Sequence, residues 1–392
     1  MKLFTFCRPD RCMDLFSPSP TLLPMPFTLP QYSPPNFSTQ PLSSAPFARF
    51  RQAPQTGVLP DEYHATSIYP EYCHLRTGGW RLVEDSRMDC GIVLGEDGSL
   101  QVKEFRHIVA GDLVACGRRE DGEDGIFVHA NGFAMVEQAQ EKFSFRTRVT
   151  RETSFSIDYD ELYDLLHYEK ENGFILWVLG PAVVFDRDAR AAIVALINKG
   201  YVHGLLAGNG LAVHDIEGDL YGTALGQKIY SKQPARQGHY NHLDTINRIR
   251  AEGSIDQAVH KKIVQEGIMH AVTKNSIPYV LAGSIRDDGP LPDVLSDVLL
   301  AQDKMRELAR QATTVIALAT QLHTIATGNM VSSYRVLKDK QVRPTYFYTV
   351  DMSEFVVNKL ANRGSLSART ILTNVQDFAV TLAQGLQRLE KS

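Results

Sequence analysis

From Phe174 onward the chain alternates between two hydrophobic patterns. Short, almost unbroken apolar runs stand at Phe174–Leu179, Tyr201–Ala207, Pro278–Gly283, Thr313–Ala319 and Tyr346–Asp351, with a shorter one at Thr370–Thr373. Runs of this length match strands buried on both faces. Longer stretches between them repeat apolar residues every three or four positions. They predict helices at Ala189–Lys199, Tyr240–Ala251, Gln257–Asn275, Val294–Arg310, Ser353–Asn362 and Phe378–Leu389, with Gly200 placed as a C′ residue. Strands and helices in this alternation predict an α/β domain on a parallel, Rossmann-like sheet with right-handed crossovers.

Upstream the period changes. Trp80–Leu94, Ser99–Ile108, Gly111–Gly117 and Gly125–Val136 are short or alternating apolar runs set off by glycines, a strand-and-hairpin signature. Asp160–Asn172 reads as a helix with Leu162, Leu165 and Leu166 on one face. Twelve of the 19 prolines fall in the first 60 residues, and Ser17–Pro54 shows no period. That stretch is expected to be disordered or extended, as a leader, a transit peptide, a linker or the product of a mis-assigned start. The expected organisation is a Pro-rich leader over 1–55, a smaller β-rich domain over 56–150 and the Rossmann-like domain over 151–392.

Composition narrows the partners. The formal charge is −4 with no Lys/Arg-dense stretch, so no nucleic-acid partner is expected. Five scattered cysteines (Cys7, Cys12, Cys73, Cys90, Cys116) fit a reducing, cytoplasmic setting rather than a disulfide scaffold. Cys7 and Cys12 have no downstream pair at zinc spacing, and no metal is expected. No apolar run is long enough for a membrane helix, and prolines break the N-terminus where a signal sequence would need continuity.

In a parallel sheet, ligands bind beyond the strand C-termini. The residues expected there are Gly180-Pro181, Gly208-Asn209-Gly210, the loop Gly283–Gly289 with Arg286, Asp287 and Asp288, the turn Thr320-Gln321-Leu322-His323, Asp351 and Asn374. Small and polar strand ends of this kind suit a dinucleotide. Asp351 is placed to accept hydrogen bonds from both ribose hydroxyls, which favours NAD over NADP; an N-cap for the following helix is its other reading. Gly208 and Gly210 would let backbone approach a phosphate, although no GxGxxG opens the first unit. Arg286 suits a carboxylate, and Asp287 or Asp288 an ammonium. His214, Asp215, Glu217, His239 and His242 are read as surface polar residues of helices, with metal or acid–base work as the alternative.

The segments LRTGGWRLVEDSRMDC, LLAGNGLAVHDIE, PYVLAGSIRDDGPLPD, LATQLHTIATGNM and VD–NKLANRGS resemble the archaeal-type ornithine cyclodeaminase family, which also forms the C-terminal part of cyanobacterial arginine dihydrolase/ornithine cyclodeaminases. The likeness runs from about Gly57 to Leu389. It implies a deoxyhypusine-synthase-like Rossmann domain, a tightly held NAD, conversion of L-ornithine to L-proline and ammonia, and a homo-oligomer. Carried over by motif, NAD contacts fall on Asn209, Gly210, Asp288, Thr320, Gln321, Leu322, His323, Asp351, Asn374 and Val375. Asp287 is the acid/base candidate, and Arg76 or Arg286 holds the substrate carboxylate. The family carries alanine at Gly210, an acid at Asn374 and a fuller histidine run at His239–His242. Two other functions stay open: an amino-acid dehydrogenase that releases NADH, and a non-catalytic NAD-binding module.

Overall fold

The computed structural model describes residues 27–133, 156–338, 340–353, 365 and 367–391. Two antiparallel sheets come first. β1 (Arg49–Gln52), β6 (Leu113–Cys116), β4 (Gly91–Leu94) and β5 (Leu100–Lys103) form one sheet in that spatial order, and β3 (Gly79–Leu82), β2 (Glu71–Leu75) and β7 (Ile126–Val128) form the other. Cys73, Val83, Ile92, Ala115 and Ile126 fill the space between them. Cys73, Cys90 and Cys116 are free and buried.

The Pro-rich stretch expected to be disordered or extended through residue 55 is packed from Phe27 on. Phe37 stacks on Trp80 with ring centroids 5.0 Å apart, Leu42 is buried, and β1 pairs along its whole length with β6. The prolines hid this because they suppress any period while leaving aromatic anchors free to pack. Residues 1–26 lie outside the described set.

The second half is the expected α/β domain. Its sheet runs β13 (Val294–Leu295), β12 (Tyr279–Ala282), β9 (Gly204–Gly208), β8 (Ile175–Leu179), β14 (Thr314–Leu318), β17 (Tyr346–Asp351), β18 (Ser367–Leu372), and every pairing is parallel. Helices α1 (Ser156–Asn172), α2 (Arg187–Asn198), α3 (Asn209–Tyr221), α6 (Ile268–Lys274) and α9 (Val375–Leu389) share one core with one face of the sheet. On the other face α7 (Val298–Ala309) and α8 (Gln321–Met330) pack against Leu176, Val178, Leu206 and Val315.

Three expectations are corrected. The helix expected over Gln257–Asn275 is two, α5 (Ile255–His260) and α6, because Gly267 adopts φ +104 between them and Ser254 caps the first. The helix expected from Val294 begins at Val298, after the edge strand β13, with Asp297 as its cap. The helix α3 escaped the pattern, since it is buried nearly all round and therefore has no polar face to set a period. The helix expected over 353–362 falls largely outside the described residues.

Candidate functional site

The chain order runs outward from β8 through β9, β12 and β13, then restarts beside β8 at β14 and continues through β17 and β18. The order therefore reverses between β8 and β14, and the crevice above that point is where a doubly wound sheet binds its ligand. Gly180 leaves β8 here. A Cβ on it would run into the carbonyl oxygen of Ala319 and lie 3.1 Å from Cβ of Thr320, so the two loops meet backbone to backbone. Ala319 itself is left-handed, φ +48, a conformation that costs a non-glycine residue about 1–3 kcal/mol and that clusters at ligand sites.

Two helices begin at this edge without a side-chain cap. α3 starts after Gly208 and α8 after Thr320, and neither N-cap side chain accepts from its first turn. Their first N–H groups and dipoles are therefore available to an anion. A Cβ on Gly208 would come within 2.9 Å of Cε1 of His323, so only glycine lets that imidazole lie over the end of β9. Burial lowers the His323 pKa, with the nearby Asp287 opposing.

The loop after β12 is internally braced. The Asp287 carboxylate accepts from Ser284 N at 2.8 Å, and Ser284 Oγ accepts from Arg286 N at 3.2 Å. Asn209 Oδ1 accepts from Leu291 N at 3.1 Å, pinning the far end of the loop to the start of α3. Asp351 ends β17, and one of its oxygens accepts from Ser353 N at 2.9 Å. One Asp351 oxygen thus turns the chain, as the cap reading expects, and the carboxylate still stands at the strand tip. Asn374 caps α9 by accepting from Gln376 N at 2.8 Å, and the Gln376 amide reaches back to Ala182 O at 2.8 Å, just past Gly180.

Asn209, Gly210, Arg286, Asp287, Asp288, Thr320 to His323, Asp351, Asn374 and Val375 accordingly stand at one edge of the sheet. They do so on terms the motif alone did not reveal. Asn209 and Asn374 have side-chain oxygens engaged in holding the loops, and Val375 is in the core, leaving its backbone for a ligand. Arg76 is not brought to this edge. It lies exposed in the β2–β3 turn, with its guanidinium 5.7 Å from the Phe47 ring. The β-rich domain meets α7 and the segment after α8 instead through Val83, Asp85 and Arg106.

The residues expected as polar helix surface are also corrected. His214, Asp215 and Glu217 are buried. Asp215 takes Arg190 Nε at 2.7 Å and the N–H groups of Ile268 and Met269 at 2.9 and 2.7 Å, so it caps α6 from below. His214 Nδ1 stands 2.9 Å from Glu217, and the His242 ring is 5.0 Å from that of His214. Ligand-competent atoms of His214, Glu217 and His242 lie within 4.8 Å of one another. No local spacing announced this group, because α4 (Gly238–Glu252) supplies His242 from 28 residues beyond His214.

Residues 162–382 match the family model described as arginine dihydrolase ArgZ-like, C-terminal, Rossmann fold. The chain is 40% identical over 348 residues to the ornithine cyclodeaminase of Methanocaldococcus jannaschii, covering 85% of this chain and 76% of that protein. It is 38% identical over 351 residues to the one from Methanopyrus kandleri, covering 87% and 79%. The chain belongs to the ornithine cyclodeaminase family of the ArgZ-like type. Among solved structures, the LOR/SDH protein of Methanococcus maripaludis superposes with a TM-score of 0.75 at 35% identity, over 88% of this chain and 98% of that one. A ternary complex of AgrE with ornithine and NAD+ superposes with a TM-score of 0.57 at 32% identity, over 89% of this chain and 47% of that longer protein. Family membership accords with the sheet order, the switch-point crevice and the bare helix N-termini described above.

Proposed function

We propose that this protein is an NAD-dependent ornithine cyclodeaminase, converting L-ornithine to L-proline and ammonia. The observation that carries the reading is the pair of uncapped helix N-termini, α3 and α8, flanking a switch point where Gly180 lets the loops after β8 and β14 meet backbone to backbone and Gly208 leaves room for His323, in a chain whose relatives bear that name. The fit to a dinucleotide is direct. The two N-termini suit a pyrophosphate, the Asp351 carboxylate at the tip of β17 suits a ribose hydroxyl, and Thr320–His323 open α8 at the same edge. Bound NAD would supply a hydride acceptor that returns what it takes, so the reaction has no net redox and the cofactor need not leave.

The chain's own task is to orient the amino acid and move protons. Arg286, on the exposed tip of the loop after β12, is assigned the carboxylate, since Arg76 is held at Phe47. Asp287 and the adjacent His323 are assigned acid–base work at the rim. Ile285, Leu322 and Met352 are exposed apolar residues on loops at this edge, which supports a second copy covering it. The buried free thiols fit a reducing compartment, and we place the enzyme in the cytoplasm.

Mass spectrometry of the purified protein's bound small molecule, followed by an ornithine-to-proline assay without added oxidant, tests the reading. NAD and stoichiometric proline plus ammonia are expected. Steady accumulation of NADH would show a dehydrogenase instead, and absence of any ornithine-dependent ammonia would leave a non-catalytic binding module. Asp351→Ala should lose bound NAD; full retention would refute the ribose assignment.

A further inference from the structure

The cluster on α3 lies close to the crevice. Gly210 and His214 are four residues apart on this helix and so share one face. A Cβ on Gly210 would lie 3.9 Å from Pro181, and the His214 ring meets the Phe185 ring edge-on at 5.6 Å. That face therefore looks onto the segment leaving β8, beside the switch point. His214 has its side chain 7% exposed and Glu217 is fully buried.

Glu217 is held as an ionised carboxylate. It accepts from Thr223 Oγ1 at 2.6 Å, Gly226 N at 3.0 Å and Leu225 N at 3.1 Å, besides the contact with His214 Nδ1. Burial would raise its pKa, but the hydrogen bonds from His214, Thr223 and Gly226 outweigh that and hold it below the usual carboxylate range. An ionised carboxylate can only accept, so Glu217 selects the tautomer with the proton on Nδ1 and the lone pair on Nε2; Leu225 N lies 3.4 Å from Nδ1 but is closer to the Glu217 carboxylate, at 3.1 Å. His242 completes the group. Its Nδ1 is buried with no hydrogen-bond partner among the described residues, and its pKa is lowered by burial and then by His214. The other groups on the surrounding elements are Asn241, whose amide donates to Thr223 at 2.9 Å, and Lys232 and Asp186, which pair beside Phe185 at 2.9 Å.

A metal ion is the rival occupant, since two histidines and a carboxylate form a recognised zinc donor set. The geometry disfavours it. Both Glu217 oxygens already carry two hydrogen bonds each, and the 2.9 Å contact between His214 Nδ1 and Glu217 is a hydrogen-bond distance, shorter than the roughly 3.3 Å that separates two ligands about 2.0–2.2 Å from a tetrahedral ion.

We propose that His214, oriented by Glu217 and flanked by His242, is the proton acceptor for the substrate's α-ammonium group. The inference rests on the ornithine cyclodeaminase reading. The proton passes from the α-nitrogen to Nε2 and leaves the amine lone pair free. Bound NAD would hold the hydride taken from the α-carbon, and the δ-nitrogen, having given a proton to solvent, would bond to that carbon. The proton on Nε2 then returns to the α-nitrogen as its bond to the α-carbon breaks and it departs as ammonia, and return of the hydride to the ring carbon completes proline, so the imidazole ends as it began. Glu217 stabilises the imidazolium between the two transfers and is a positioning residue.

Proline formation by the full chain with its cofactor bound is measured for the wild type and for His214→Ala, alongside melting temperature and NAD content. The variant should keep NAD and lose turnover by about 10²–10⁴-fold, the usual worth of a positioned acid–base group. Added imidazole should restore part of the rate, and the restored rate should rise with pH as free imidazole deprotonates. Turnover within threefold of wild type, or a loss that imidazole does not restore at any pH, overturns the assignment. A second readout needs neither activity nor the variant's folding: ring-nitrogen NMR of the histidine-labelled wild type. A neutral Nδ1–H tautomer for the Glu217-bonded histidine sustains the pair, whereas an Nε2–H tautomer, or one equivalent of tightly held zinc, overturns it. A wild type that makes no proline sinks the cyclodeaminase reading, and the tautomer then decides the pair separately.

Discussion

Gly180 shows how much one missing atom decides. Its position after a six-residue apolar run marks it in the sequence as a strand breaker and nothing more. In the fold it is the only kind of residue that lets β8 and β14 share an exit, because any Cβ would meet the Ala319 carbonyl. Gly180→Ala should therefore push the two loops apart, destabilise the domain by about 1–3 kcal/mol as an overpacked site does, and release bound NAD. Thermal denaturation and NAD content of the purified variant check this; a wild-type melting temperature with NAD retained would refute the close approach. Gly210 differs. A Cβ there meets only Pro181 at ordinary contact distance, which agrees with the family's carrying alanine at that place.

Among the elements, α3 is the least legible and the most consequential. It is mostly buried, and its buried polar residues are each engaged: Asn209 by Leu291, His214 by Glu217, Asp215 by Arg190 and α6. A helix of this kind breaks the amphipathic rule that the prediction relied on. α9 is the opposite case. Phe378, Ala379, Leu382 and Leu386 form a clean buried stripe, and the sequence located it to within three residues at its start. Its end is tied down electrostatically: Glu390 accepts from Lys199 at 2.8 Å, Tyr201 at 3.1 Å and Lys170 at 3.3 Å. The Lys199 hydrogen bond leads in holding the Glu390 carboxyl down at about 2. A carboxylate depressed in the folded state contributes stability above its unfolded value of 4.5, and that contribution fades as pH falls from there toward about 2. Glu390→Gln should thus melt below wild type at neutral pH, with the gap closing between about pH 4.5 and 2. A gap independent of pH over that window would show the clamp to be packing rather than charge.

At the scale of the molecule, the two halves are joined by more than the chain. Asp85, itself in the left-handed region with φ +52, receives Arg335 at 2.8 Å and Arg310 at 3.2 Å, and its carbonyl accepts from Arg306. Tyr334 donates to Val83 O, and Arg106 pairs with Asp303 at 2.6 Å. The N-terminal segment adds a third tie. Phe27 packs its ring on Tyr168 and Tyr346 of the Rossmann half, while Tyr32 bonds Tyr72 and His129 of the β-rich half, both at 2.9 Å. Deleting residues 1–55 should therefore lower the melting temperature, by about 1 °C for each kcal/mol lost in a chain of 392 residues, and expose the β6 edge. An unchanged melting temperature would show the strap to be dispensable.

By itself the sequence determined the α/β class, six strands of the main sheet to within three residues at either end, the sheet edge that carries the candidate site and the family. Each follows from information local to a run of a few residues: burial on two faces, a breaker, a small or acidic strand end. Tertiary structure alone decided which loops face each other across the switch point, that Arg76 stays at Phe47 while Asn209 and Asn374 serve as loop braces, and that His214, Glu217 and His242 form one buried group. Those are contacts between residues far apart in the chain or on a helix with no polar face, and neither kind leaves a periodic trace. The physical reason is the same throughout. Period reports which side of an element meets water, and it carries nothing about which buried neighbour that side will meet.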